Sequence, residues 1–143
     1  MQLTCVEFRH NESIPREYTC QGRNISPSLS ISGLPTGTKS LALIMDDPDA
    51  PMRTWVHWVV FNIPPTARIE KGSIPGVQGI NDFRKENYGG PCPPSGNHRY
   101  YFKLYALNAR LDLPQGITKE QLEDAMEGHI LDKAELIGTY QKH

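Results

Sequence analysis

The chain has no long hydrophobic run. Its most apolar stretch, Trp55–Ile63, is nine residues and holds His57, whereas a membrane-spanning helix needs about 20 apolar residues. Glu7 and Arg9 stand where a secretory signal would need its apolar core, so no signal is expected. Cysteine is scarce: there are three, Cys5, Cys20 and Cys92, with no CxxC pair. So sparse and odd a set argues against a disulfide framework and against a zinc ribbon. Reduced thiols in a cytoplasm are the simplest expectation, with a Cys5–Cys20 bridge as the alternative. Charge of one sign is missing too. Fifteen Lys+Arg against 16 Asp+Glu leave a net charge of −1, so nothing draws the chain to nucleic acid by bulk charge. It contains no internal repeat and no low-complexity tract.

At 143 residues one domain, residues 1–143, is expected, large enough to bury a core. Twelve Pro and 12 Gly are spread along it, as the turns of a β-rich fold would be. Leu3–Phe8 and Ser28–Ile31 read as strands. Ser40–Met45 and Trp55–Ile63 are apolar on both phases, as strands covered on both faces are. Pro64-Pro65 ends the second. Thr66–Asn87 reads as a long loop or a set of short turns, and Tyr100–Leu107 as an aromatic strand. Thr118 to Gln121 fits a capping box. Leu122, Ala125, Met126, His129 and Ile130 then recur at helical spacing, with Gly138 as the stop. The class is mostly β, a β-rich α+β fold with one or two peripheral C-terminal helices.

Two segments carry most of the chemistry: Asp46–Ile63 and Tyr88–Leu107. Each runs from a stiff, Pro-rich loop into a strand, and each sets a histidine at or near that strand's start. Strict alternation puts His57 in phase with Trp55, Val59, Phe61 and Ile63, and His98 in phase with Tyr100, Phe102 and Leu104. Either histidine alone is ordinarily a satisfied core residue. Two of them beside rigid loops point instead to a preformed polar pocket. Arg99 has the wrong phase to join His98, whereas Tyr100 has the right one. Prolines 48 and 51 fix the loop after Asp47, and Ala50–Pro51 is the bond expected to be cis. Glycines 89 and 90 let backbone approach a ligand while Pro91, Pro93 and Pro94 hold the loop still. His129 reads as packing on the helix; His10 and His143 read as exposed.

At these residues the chain resembles the phosphatidylethanolamine-binding protein family, in particular its prokaryotic, Raf-kinase-inhibitor-like branch. The resemblance rests on Asp47–Pro51 followed by Trp55–His57, and on Cys92-Pro93-Pro94 followed by His98-Arg99-Tyr100. Tyr18-Thr19-Cys20, Ser26-Pro27 and Glu127–Ile130 also match. It implies a mostly antiparallel β-sheet sandwich with an anion pocket at one end, taking phosphate, sulfate or a phosphoethanolamine head group. The positions that match the family's pocket are Asp47, His57, Cys92, Pro93, Pro94, His98 and Tyr100, with Asp49, Pro51 and Trp55 shaping it. It further implies a non-enzymatic protein without a cofactor, and a homodimer. Together with the charge, cysteine and hydropathy readings, a cytoplasmic protein with no nucleic-acid partner and no stable membrane insertion is expected. An interaction protein that inhibits a kinase or protease is a further rival reading, and eukaryotic kinase partners are not implied. Ile31 departs from the Trp frequent in prokaryotic relatives, and the long eukaryotic C-terminal helix that helps cover the pocket is missing.

Asp47 beside an anion needs a role: it either orients and protonates a histidine or meets an ammonium on the ligand. Two rival readings use the same residues. One is a hydrolase with Cys92 or Ser95 as nucleophile, His98 as base and Asp47 as orienter, although no nucleophile elbow is present. The other is a metal site from Asp47, His57 and His98, with suitable ligand types but no local HxH or HExxH spacing.

Overall fold

Ser40–Met45, which opens the strand Ser40–Asp47 (β3), and Trp55–Ile63 (β4) are apolar on both phases because both their faces are covered. In the computed structural model, which describes residues 1–142, they lie inside a five-stranded sheet of order β6-β4-β3-β7-β8. The other members are Val77–Gln78 (β6), Asn97–Leu107 (β7) and Ile130–Gln141 (β8). A second sheet of three short strands, Gln2–Thr4 (β1), Leu29–Ser32 (β2) and Arg68–Ile69 (β5), has the order β1-β2-β5. All strand pairs are antiparallel.

The small sheet covers one face of the large one. Leu3, Leu29, Ile31 and Ile69 pack with Leu43, Met45, Trp58, Phe102 and Leu104 in one apolar cluster. The other face carries Ile44, Val59 and Phe61, which pack against Leu122 and Met126 of the helix α1, Lys119–Met126. Ile31, where relatives often have Trp, is simply part of the core. Fully buried Asp46 ties the helix to the sheet by accepting from Lys119 Nζ at 3.0 Å and Lys103 Nζ at 3.1 Å.

The helix starts as its sequence dictates. Thr118 Oγ1 accepts from the Gln121 amide at 3.1 Å, and Gln121 Oε1 accepts from the Thr118 amide at 2.9 Å. Losing this cap in Thr118→Ala is expected to cost about 1 kcal/mol in urea denaturation. The expected stop at Gly138 is wrong. Gly128, with φ of 82°, ends the helix by adopting the left-handed turn that favours glycine. The chain then enters β8, paired with β7 from Asn97↔Gln141 to Leu107↔Ile130. Among the described residues there is thus one short C-terminal α-helix, within the expected one or two. His129 lies beyond it, exposed, 2.9 Å from Asn108 Oδ1, and not on an apolar helix face. Gly138 sits in β8, where a Cβ would meet Ile14 and Phe8. His10 is exposed as expected; His143 lies outside the described residues.

Strict alternation also fails in β4. Its pairing with β3 slips between Met45/Asp46 and between Leu41/Leu43, each slip giving β4 an extra residue, a β-bulge. The first slip falls at His57. It takes His57 out of phase with Val59 and Phe61 and sets its ring 5.3 Å from Tyr100, edge to face. Ile63 likewise joins the cluster under the small sheet, away from Phe61.

Candidate functional site

Antiparallel pairing brings the end of β3 and the starts of β4 and β7 to one rim of the large sheet. Asp47, His57, His98 and Tyr100 therefore converge, though far apart in sequence. They line a cavity of about 270 Å³ with Trp55, Phe83, Ala50, Pro51 and Cys92–Pro94. Every expected pocket residue is on this wall. Asp49 acts one step behind it: its amide donates to Asp47 Oδ1 at 2.8 Å. Its carboxylate takes a two-pronged contact from Arg99, at 2.8 and 2.9 Å. The Arg99 hydrogen bonds hold the Asp49 carboxyl down at about 2. Arg99 thus points away from the pocket and pins its loop to β7. No cis peptide bond occurs among the described residues, so Ala50–Pro51 is trans, contrary to expectation.

His98 is locked from both sides. Its Nδ1 lies 2.6 Å from Asp47 Oδ2 and its Nε2 lies 3.1 Å from the Ser95 carbonyl. Both partners only accept, so the ring satisfies both only when it carries both protons. Asp47 therefore spends its charge on His98, the first of the two roles open to it. His57 is different. Nδ1 lies 2.6 Å from the Gly89 carbonyl and must donate to it, and the Gly90 backbone also bears on the ring. Burial pushes the ring's pKa below its ordinary 6.5, outweighing the opposite pull of the Gly89 carbonyl and of Asp47. The Tyr100 hydroxyl is buried and forms no hydrogen bond, with the Cys92 amide close to it. Burial raises its pKa, followed by the Asp47 charge, so it stays a neutral donor.

The far wall is held by contacts that the sequence did not announce. Cys20 is bonded to Cys92, which corrects the expectation of reduced thiols and the Cys5–Cys20 alternative; Cys5 is the free, buried one. The Gly90 amide donates to Asn24 Oδ1 at 2.8 Å, and Tyr88 Oη to the Tyr18 carbonyl at 2.7 Å. A Cβ on Gly90 would stand 2.3 Å from that same carbonyl, so only glycine allows the two segments to meet. Buried Asn81 organises the loop opposite. Its Oδ1 accepts from the Phe83 and Lys85 amides, and its Nδ2 donates to the carbonyls of His57 and Asn87. Neither Asn81 nor Phe83 stood out in the sequence, because Thr66–Asn87 has no periodicity to read.

The rival chemistries find little support in this geometry. Cys92 is consumed by its disulfide, and Ser95 meets His98 through its carbonyl. Among the described residues no three of His, Cys, Asp and Glu form a group that could hold a metal ion. Nor is any helix among them long and apolar enough to cross a membrane.

Comparison with known proteins agrees with this architecture. The phosphatidylethanolamine-binding protein family matches residues 5–141. A UPF0098 protein of Methanothermobacter thermautotrophicus is 51% identical, with 99% of both chains covered. One from Chlamydia muridarum is 50% identical with the same coverage. Among solved structures, CT736 of Chlamydia trachomatis, described as a homologue of phosphatidylethanolamine-binding protein, superposes with a TM-score of 0.96 at 48% identity, covering 99% of this chain and 97% of its own. YbcL of E. coli, described as a new member of the mammalian family, gives 0.91 at 33%, covering 99% and 98%.

Proposed function

This chain belongs to the phosphatidylethanolamine-binding protein family, and from that premise we propose that it is a non-enzymatic binding protein whose rim pocket takes a small phosphate-like anion, free or as a phospholipid head group. The observation that carries the reading is the buried Tyr100 hydroxyl without a partner, beside the His57 ring on the pocket wall. An unmet buried donor costs about 1–3 kcal/mol, and an anion oxygen would relieve it. The Asp47 charge, which would repel an anion, is already answered by His98. A cavity of about 270 Å³ is at the small end for ligand sites and suits a head group better than a whole lipid. No lysine or arginine lines it, so millimolar affinity is expected, near −4 kcal/mol.

An anion in the pocket favours protonated His57, whose pKa is depressed in the empty pocket. Binding therefore takes up a proton, and affinity rises as pH falls through the histidine range, by up to about tenfold per pH unit. Sulfate is the clean probe because its own charge is constant there. Calorimetry should give a tighter sulfate constant at pH 5.5 than at pH 7.5; equal constants would remove His57 from the site. The empty protein runs the other way. Below pH 6.5 the unfolded chain takes a proton that folded His57 resists, so stability falls with pH, and sulfate should restore it. Phosphate against phosphoethanolamine separates a bare anion site from a head-group site.

We further assign the protein to the cytoplasm, as a homodimer regulating a kinase or protease; family membership alone supports this. The Cys20–Cys92 bridge weighs on that placement, since cytoplasms that keep such bridges are mainly those of hyperthermophiles. Alkylation of freshly lysed cells followed by mass analysis would reveal its state, and sedimentation the dimer. No turnover of activated esters is expected, and turnover lost in Ser95→Ala would revive the hydrolase reading.

A further inference from the structure

Behind the rim pocket lies a second cavity of about 270 Å³, and the two share Phe83 and Cys92. The divide between them is a ring and a disulfide. The Phe83 ring stands edge-on to His57 at 5.3 Å and to Trp55 at 5.7 Å, and is 38% exposed. It lies over Gly89, where a Cβ would come within 2.5 Å of it.

The second cavity differs from the first in charge. Its lining includes Lys85, the carboxamides of Asn24 and Asn87, and no carboxylate. Lys85 makes no ion pair among the described residues. Asn24 uses its Oδ1 on the Gly90 amide, leaving its NH₂ to donate. The two cavities are also held in register. Asn81 bonds the amides of Phe83 and Lys85 with one end and the carbonyls of His57 and Asn87 with the other. The backbone that carries exposed Lys85 is thus anchored by the same side chain that anchors the backbone of His57.

We propose that the second cavity is a distal anion subsite of one elongated groove, so that the ligand class is an extended molecule with two acidic groups. A phosphoryl group occupies the rim pocket, a short linker passes over Phe83 and the Cys20–Cys92 bridge, and a second phosphate or carboxylate meets Lys85. This rests on the anion reading of the rim pocket. It gives selectivity that the small pocket alone lacks, because only a ligand of the right span engages both ends.

The test compares inorganic phosphate, alkylphosphonates, and the methylene, trimethylene and pentamethylene bisphosphonates, by calorimetry at pH 6 with chelator present. At least one bisphosphonate should bind about tenfold more tightly than the alkylphosphonate of equal chain length, the gain of one charge-assisted contact. Lys85→Ala should abolish that gain and leave phosphate affinity within about twofold. If phosphate binds but no bisphosphonate exceeds its alkylphosphonate, or if the gain survives Lys85→Ala, the distal subsite is overturned and the rim pocket stands. If phosphate itself fails to bind, both readings fall.

Discussion

Asp47→Ala is expected to lower folding stability by about 3 kcal/mol, the low end of the range for breaking a buried ion pair. Asp47 and His98 are 3% and 7% exposed and 2.6 Å apart. Without the carboxylate the ring keeps its Ser95 contact but loses the group that answers its charge, and the Asp49 amide loses its acceptor. Asp47→Asn removes the charge while its carbonyl can still accept from Nδ1–H, although its NH₂ then faces the Asp49 amide, which loses its acceptor as it does in the alanine variant. It should cost about 1 kcal/mol. Chemical denaturation of the three proteins at pH 6.5 measures this. If alanine costs no more than asparagine, the Asp47–His98 contact does not act as an ion pair and the reading of the pocket's charge balance is wrong.

The second large effect comes from the bridge. Cys20 and Cys92 are 72 residues apart, and closing so long a loop stabilises the folded chain by about 4 kcal/mol in the chain-entropy account. Cys20→Ser with Cys92→Ser should lose most of that, on the order of 10 °C in Tm for a chain of this size. The pocket should survive in weakened form, because the Gly90–Asn24 and Tyr88–Tyr18 hydrogen bonds still join the two segments. Reducing the native protein should give the same shift, while the serine pair should not respond to reductant. A shift below about 3 °C in the native protein would mean that those hydrogen bonds and the close packing of Gly90 hold the wall unaided.

Where the sequence was informative, the cause was local. Asp47 and His98 could be placed because proline fixes their loops and β7 alternates cleanly. The Thr118 cap could be read because a capping box is a four-residue device. The misreadings have non-local causes. His57 joins the pocket through a bulge, which depends on how β3 and β4 fit together; alternation alone sent it toward Val59 and Phe61. Residues 130–141 carry a pattern that suits a helix as well as a strand, and pairing with β7 along its whole length decides for the strand. Cys20 and Cys92 meet because the 16–24 segment folds over the 88–94 loop, which no spacing announces. Asn81 was invisible for the same reason: its value lies in four backbone groups that only the fold assembles.

The most direct test of the pocket is an NMR titration of the His57 and His98 ring protons with phosphate at pH 6 and pH 8. The account predicts saturable shifts at millimolar phosphate, largest for His57, tighter at pH 6, and strongly reduced in Tyr100→Phe. Rings that do not respond at either pH, or a response unchanged in Tyr100→Phe, would contradict it and leave the buried hydroxyl without a ligand to explain it.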